Sequence, residues 1–463
     1  MSNLTHLTNA GVSVIIDTTS GTPAVLHWGR AIKPGFDAEA LVQTQIEPTP
    51  HCDFDEPQTI GIWRENARGF IGEPTLKGSR PGRDWSHHFT VRSTQLDGNT
   101  VTYVSIDAEA ELEVEARFEL TEQGVLKLSQ KVTNLGLSEF TVESLTSYLP
   151  VPDYTKDVLD FHGRWMRERQ PQRHAIRVGN WVREGREGRT GHDYTLIQFA
   201  LAEGTTFEHG EAWGLSLAWS GNNRHVVERT AIGRTSLGAG ELLLPDEMVL
   251  DSNESYQAPT VVAVYANDGI DGASHRLHSM LRARPTHPTN VRPRPVTLNV
   301  WEAVYFDHDY DKLAALADAA AEIGVERFVL DDGWFGARRH DRAGLGDWVV
   351  SKDVWPEGLG KLVDKVKSVG LEFGLWFEGE MVNQDSDLYR EHPDWILHAT
   401  GRTPIESRFQ HVLDLTHEGA YQHVLGQVDA ILSEYDIAYI KWDHNRVLTD
   451  AEHLGRAAVR NQT

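Results

Sequence analysis

The chain has almost no cysteine, a shortage of positive charge and no long apolar run. One of its 463 residues is cysteine, Cys52. A single thiol excludes an intramolecular disulfide framework and a zinc site built on cysteines, and it fits a reducing cytoplasm. Lysine and arginine number 44 against 68 aspartates and glutamates, a formal net charge of −24. Phosphate backbones are held by basic surfaces, so no nucleic-acid partner is expected. The one basic stretch, Arg164 to Arg189, is interrupted by Glu168, Glu184 and Glu187. It is expected as a solvated, salt-bridged loop region or a subunit contact. No apolar run approaches the roughly 20 residues that a membrane-spanning helix needs. The opening MSNLTHLTNAGVSVIID has neither the basic start nor the apolar stretch of a secretion signal. A cytoplasmic protein without a membrane partner is the expectation.

Tryptophan is abundant instead, with 14 residues. An indole face stacks on the C–H face of a sugar, although most tryptophans simply fill cores. From Glu111 to Val132 the residues alternate: Leu112, Val114, Ala116, Phe118 and Leu120 on one face, glutamates on the other. Glu122-Gln123-Gly124 supplies a turn, so this is a hairpin with one buried face. Similar runs recur at Val101–Ile106, Trp213–Trp219, Glu241–Leu244 and Thr260–Tyr265. Many short strands between turn residues imply a large β-sandwich. A helix from Ser274 to Leu281 and a proline-dense segment, Arg284 to Pro295, close this region. The expected division is residues 1–285 as a β domain and 286–463 as a second domain.

In the second part, strands alternate with helices. Val296–Trp301, Phe328–Leu330, Leu371–Phe377 and Ile437–Trp442 read as strands. Helical spacing marks Leu313 to Ile323, a segment opened by Pro356, and Val424 to Leu432. This pattern means parallel βαβ units, in a (β/α)8 barrel or an open sheet. The strands end in Trp301-Glu302, Asp331-Asp332-Gly333-Trp334, Trp376-Phe377-Glu378 and Lys441-Trp442-Asp443. Barrel active sites draw on several strand ends, and no glycine-rich phosphate loop follows the first strand. Carboxylates beside indoles suit a neutral polyol, whose hydroxyls donate hydrogen bonds. Lys441 and Asp443 share a strand face, and a carboxylate kept ionised by an ammonium suits a nucleophile. The same spacing fits a structural ion pair, and Asp331-Asp332 also fits a loop cap. With Gly333 turning the backbone, the two aspartates could instead converge on one ligand. Asp307-His308-Asp309-Tyr310-Asp311 looks ligand-like, with His87-His88 a second candidate, but the first matches neither an EF-hand nor a His-x-x-x-His zinc helix and is expected as a solvated acidic loop, so neither a metal nor a nucleotide cofactor is expected.

The stretches LNVWEAVYFDHD, VERFVLDDGWFG, LGDW, FGLWFEGEMVNQDSDLYREHPDWIL, HVLDLT and YIKWDHNR, in that order, resemble the bacterial α-galactosidases of glycoside hydrolase family 36. GRWMRERQPQRH and LAWSGNNRHVVER extend the resemblance into the first half. It implies a β-supersandwich followed by a (β/α)8 catalytic barrel, a β plus α/β protein of which about four barrel strands lie in this chain. It also implies release of α-linked galactose from melibiose- or raffinose-type oligosaccharides with retention, through a covalent galactosyl–aspartate. Asp443 is then the nucleophile. Asp331 and Asp332 hold galactose hydroxyls, and Trp376, Arg408, Lys441 and Asn445 complete the sugar subsite, with Trp348 nearby. Asp84 of GRDW is the candidate contact from a neighbouring subunit of a homo-oligomer. Gly379 stands where the family usually has proline, making that turn less rigid, and His444 replaces a common methionine. The family's acid/base aspartate lies on a later strand, so it is expected beyond Thr463. A related α-N-acetylgalactosaminidase, a transglycosylase and a galactoside-binding product without catalysis are the alternatives.

Overall fold

The computed structural model describes residues 3–46, 49, 51–52 and 54–452. Its backbone forms two compact units, Met1–Thr286 and His287–Thr463.

The first unit is built from antiparallel sheets. One ten-stranded sheet runs, from edge to edge, through Arg167–Ala175, Thr155–Arg164, Ile197–Ala202, Ala212–Leu217, Val261–Ala266, Val125–Asn134, Leu112–Leu120, Thr100–Asp107 and Thr90–Asp97, with Ser255–Gln257 paired to Val125–Asn134. A four-stranded sheet orders Ser147–Val151, Thr235–Glu241, Asn223–Arg229 and Gly179–Gly185. Leu112–Leu120 alternates strictly between buried and half-buried positions, as its sequence pattern demands. Thr121 and Val125 close the hairpin with a 2.9 Å bond, and Gly124 takes the positive φ of 74° that the turn needs. Val114, Phe118 and Leu128 share one core with Leu149, Val227 and Leu237 from the smaller sheet, so the arrangement is a sandwich.

Two expectations are corrected in this unit. The arginine-rich stretch, solvated and salt-bridged as expected, is only partly a loop: Arg177, Arg186 and Arg189 lie in connections. It supplies Arg167–Ala175, the end of Thr155–Arg164, and Gly179–Gly185, paired through the backbone while the arginines lie on exposed or half-exposed positions. Arg173 reaches Asp157 at 2.7 Å and Arg186 reaches Glu184 at 2.7 Å. Ladder hydrogen bonds need no apolar side chain, so no hydrophobic period announced these strands. The strand expected at Glu241–Leu244 lies earlier, at Thr235–Glu241. Its glycines disguise it, yet Gly238 has a reason: a Cβ there would lie 2.4 Å from the Tyr148 ring.

The second unit holds a parallel sheet of four strands in sequence order: β1 (Thr297–Asn299), β2 (Arg327–Leu330), β3 (Glu372–Phe377) and β4 (Tyr439–Trp442). Helices α1 (Tyr310–Glu322), α2 (Gly360–Ser368) and α3 (Glu418–Glu434) make the crossovers. Their buried faces (Leu313 and Ala317, Leu362 and Val366, Ile431) join Phe328, Leu330, Phe373 and Leu375 in one core. This is a partial (β/α)8 barrel. β1 is shorter than expected: the Asn299 side chain accepts from the Trp301 N–H at 2.9 Å, and Trp301–Val304 turns into a short helix. Trp301-Glu302 is therefore not a strand end. Pro356 does not open α2, because Trp355 and Gly358 first close a turn.

Phe118 is fully buried, whereas Glu115 makes only a half-exposed contact with Lys131 at 3.8 Å. Phe118→Ala is expected to cost about 3–5 kcal/mol of stability, and Glu115→Ala under about 1 kcal/mol. Urea unfolding followed by circular dichroism checks this; equal losses would contradict the assigned faces.

Candidate active site

Parallel pairing fixes which side chains meet. Trp376 is in register with Lys441, and Phe377 with Trp442. The Asp443 N–H continues the ladder to the Phe377 carbonyl at 2.8 Å. Side chains alternate, so Trp376 and Glu378 of β3 and its extension face the same way as Lys441 and Asp443 of β4 and its extension. Trp442 points to the other side. Its indole N–H donates to Glu380 at 2.8 Å, and a Cβ at Gly379 would lie 2.6 Å from its ring. Glycine there makes room for the indole.

Asp443 is half-buried and well supplied with donors. Its Oδ2 accepts from the Trp376 indole N–H at 3.0 Å and from the Asn445 amide at 2.9 Å, and its Oδ1 accepts from the His444 N–H at 3.1 Å. Burial alone would raise the carboxyl's pKa. The Trp376 and Asn445 bonds, the Lys441 ammonium and the His444 N–H outweigh it, and the net shift is downward. Asp443 is thus an anion with one oxygen doubly held and the other lightly held.

Asp331 and Asp332 follow β2, where Gly333 turns the chain with a φ of 113°. Asp331 Oδ2 accepts from Lys441 Nζ at 2.7 Å and from the Asn299 amide at 2.5 Å, and Oδ1 from the Asp332 N–H at 2.8 Å. Lys441 thereby links the β2 carboxylate to the Asp443 side of the site. Asp332 takes a different partner: both its oxygens accept from Arg338, at 2.8–3.1 Å. Arg338 also donates to the Ala343 carbonyl and the Asn383 side chain, at 3.1 and 3.2 Å.

The two tryptophans are buried. Trp376 is 2% exposed and Trp348 is 1% exposed. Phe335 stacks on Trp376 with ring centroids 6.0 Å apart, and also packs on Trp348 at 4.5 Å. Trp348 is a core residue under the strand ends, while Trp376 brings its N–H edge to Asp443. Arg408 is exposed in the turn from Ser407 to Gln410, with a φ of 54°. Asp84 belongs to the first unit, where its carboxylate accepts from Arg80 at 2.9 Å. Asp309 caps α1 by accepting from the Lys312 N–H at 2.9 Å, and His87 packs between Phe89 and Phe140. Among the described residues no group of three or more His, Cys, Asp or Glu is placed to hold a metal ion, and no helix is long and apolar enough to cross a membrane.

Sequence reasoning left three residues without a role. Asn299 and Arg338 orient the two aspartates, and nothing periodic marks either of them. Glu378 was visible as a strand-end carboxyl. It is 1% exposed, its Oε1 accepts from the Asn445 N–H at 2.8 Å, and its Oε2 lies 3.4 Å from the Gln410 amide. Burial pushes its carboxyl up to about 7, with Asp443 adding to the rise and Asn445 and Arg408 opposing it.

The family model for Melibiase matches residues 255–463, and that for the glycosyl hydrolase family 36 N-terminal domain matches residues 21–251. The chain is 37% identical to an α-galactosidase of Escherichia coli over 97% of its own length and 63% of that protein's. It is 36% identical to the α-galactosidase Mel36A of Lactobacillus acidophilus, over 96% of its own length and 65% of that protein's. The chain thus spans about two thirds of the length of these curated relatives. A crystal structure of a variant of the family 36 α-galactosidase AgaA from Geobacillus stearothermophilus, in complex with raffinose, superposes with a TM-score of 0.92 at 28% identity. That superposition covers 99% of this chain and 68% of the other. A second AgaA variant, in complex with stachyose, gives a TM-score of 0.90 at 29% identity, over 99% of this chain and 68% of the other.

Arg338 and Asp332 are both buried, with side chains 2% and 8% exposed. Arg338→Ala leaves a buried carboxylate without its partner and is expected to lower stability by about 3–5 kcal/mol. Thermal and urea unfolding check it; an unchanged midpoint would show that Asp332 is solvated or neutral.

Proposed function

From the premise that this chain belongs to glycosyl hydrolase family 36, we propose that it carries the nucleophile and much of the sugar subsite of a retaining α-galactosidase. The observation that carries the reading is Asp443, held ionised at the end of β4 by Trp376, Asn445 and Lys441. Its lightly held Oδ1 is the oxygen free to attack.

The proposed substrate is an oligosaccharide ending in α-galactose, the class represented by the raffinose and stachyose bound in the related structures. Asp443 attacks the anomeric carbon, the bond to the aglycone oxygen breaks, and that oxygen takes a proton from a general acid. Water then attacks the galactosyl–aspartate, giving its proton to the same residue, now a base, and Asp443 leaves as a carboxylate. Two displacements retain the configuration. We assign the acid/base to none of the described residues; the match to the Escherichia coli relative covers 63% of that protein's length. Asp331 and Asp332 accept from galactose hydroxyls, and their partners Asn299, Lys441 and Arg338 hold them in place. A group already anchored by the protein loses little freedom on binding the sugar. Arg408 stands in the exposed turn beside the subsite. Asp84, whose Oδ2 accepts from Arg80, is the proposed contact from a neighbouring subunit of a homo-oligomer. No step of this chemistry calls on a metal or a nucleotide.

Asp443→Asn keeps the shape of the side chain and removes the attacking charge. In the active enzyme that contains this chain, turnover of an aryl α-galactoside is expected to fall by several powers of ten, with the fold unchanged by circular dichroism. Near-normal turnover in that variant would remove Asp443 from the role. Binding of galactose by the unmodified enzyme without any release from α-galactosides would replace hydrolysis with a binding function.

A further inference from the structure

The reaction as written gives no part to Glu378. We infer that Glu378 is a positioning residue for Asp443: it fixes the Asn445 backbone, and so aims the amide that donates to the nucleophile's Oδ2. The inference rests on the reading of Asp443 as nucleophile.

The register puts the two carboxyls side by side. Phe377 pairs with Trp442, and the Asp443 N–H bonds to the Phe377 carbonyl. One position further on, Glu378 and Asp443 stand on the same face of neighbouring strands, whose backbones lie roughly 4.8 Å apart. Beyond Trp442 the chain leaves the sheet through Asp443-His444-Asn445-Arg446, and its course there depends on side-chain anchors. Glu378 is one of them. Its Oε1 takes the Asn445 N–H at 2.8 Å, while its Oε2 faces the Gln410 amide at 3.4 Å. Arg446, buried, ties the same two segments by donating to the Gln410 carbonyl at 2.6 Å and the Ile405 carbonyl at 3.0 Å. With the Asn445 backbone fixed, its amide reaches Asp443 Oδ2 at 2.9 Å.

The clamp works best while Glu378 is neutral. The charged groups around it are Asp443 at the end of β4 and Arg408 in the turn before Gln410; the Arg446 guanidinium is committed to backbone carbonyls. With its pKa raised to about 7, Glu378 is a carboxylic acid below neutrality. Its carbonyl oxygen still accepts from Asn445, and no second anion presses on Asp443. Above about 7 it ionises, and two carboxylates then share one strand edge. Its place also argues against a role as proton donor. It is 1% exposed and lies beside the nucleophile, whereas a donor to the leaving group must stand across the sugar from it.

The Trp376 indole N–H donates to Asp443, so its NMR resonance reports on that carboxylate in this chain whether or not substrate turns over. The resonance is assigned by its loss in Trp376→Phe and followed from pH 4 to 9 in the unmodified chain, Glu378→Gln and Glu378→Leu. The unmodified chain should show a step near pH 7, which Glu378→Gln removes without other change. Glu378→Leu should also remove it, and should bring the titration of Asp443 upward into the observed range. A step near 7 that survives in Glu378→Gln, or identical curves for the Gln and Leu variants, overturns the inference. In the active enzyme at pH 5.5, Glu378→Gln should keep kcat within about threefold, and Glu378→Leu should lower kcat by about 10- to 100-fold with little change in KM. Should the leucine variant not fold, the glutamine variant decides: near-normal kcat without the step supports positioning, and a tenfold loss overturns it. Loss of oligosaccharide cleavage in Glu378→Gln, with activity on activated aryl galactosides kept, would make Glu378 the proton donor instead. An unmodified enzyme inert toward α-galactosides would defeat the galactosidase reading alone, because the indole titration would still judge the clamp.

Discussion

A half-buried carboxylate that must stay charged sets the terms for the second unit. Removing Asp443 from water favours its neutral form, and only donors already in place can reverse that. Trp376 and Asn445 are those donors, helped by Lys441, and each is held in turn. The Trp376 ring packs against Phe335 and Trp348 in the core, which holds its N–H edge toward Asp443. Lys441 is oriented by Asp331, which Asn299 also holds. The aromatic core, through Trp376, and the buried Asp331, through Lys441, therefore both bear on the Asp443 carboxylate. Loosening the core would change the charge at the strand end, not merely the stability of the sheet.

The parallel sheet is what makes such a set possible. Each crossover helix returns the chain to the same edge, so Asp331, Glu378 and Asp443 emerge together although up to 112 residues separate them in sequence. An antiparallel hairpin would send neighbouring strand ends to opposite edges. The first unit shows the contrast. Its antiparallel strands, strictly alternating in Leu112–Leu120, spend their inward faces on a shared apolar core and leave charge outside.

What could be read in the sequence followed from periodicity and strand ends. Hydrophobic alternation located Leu112–Leu120 and Val125–Asn134, and helical spacing located α1 and α3, because burial of one face leaves a repeating signature. The family resemblance supplied the roles proposed for Asp331, Asp332 and Asp443. What stayed hidden has no period. Arg167–Ala175 and Gly179–Gly185 are strands by backbone pairing alone, and Thr235–Glu241 carries glycines because Tyr148 needs the space. Arg338, Asn299 and Asn383 act through distant partners that only folding brings within reach. Trp348, expected near the sugar subsite, has its ring in the core beside Trp376, where large aromatic surface gains most from burial.

The two carboxyls at the ends of β3 and β4 show how one sheet edge can hold opposite protonation states. Both are removed from water, and Asp443 disfavours the charge on Glu378. Their difference lies in the donors. Asp443 has an indole, an amide and a nearby ammonium, so it carries the charge. Glu378 has a backbone N–H, an amide side chain and a more distant guanidinium, and burial prevails. One proton shared unequally between neighbours lets the pair avoid two buried anions. The split also explains why a carboxyl stands at 378. A neutral acid accepts from Asn445 and still has a proton to donate. A leucine there would leave the Asn445 N–H unsatisfied, and a fully charged group would place a second anion beside Asp443. The position thus demands a carboxyl or its amide, and the packing around it decides which charge the carboxyl bears.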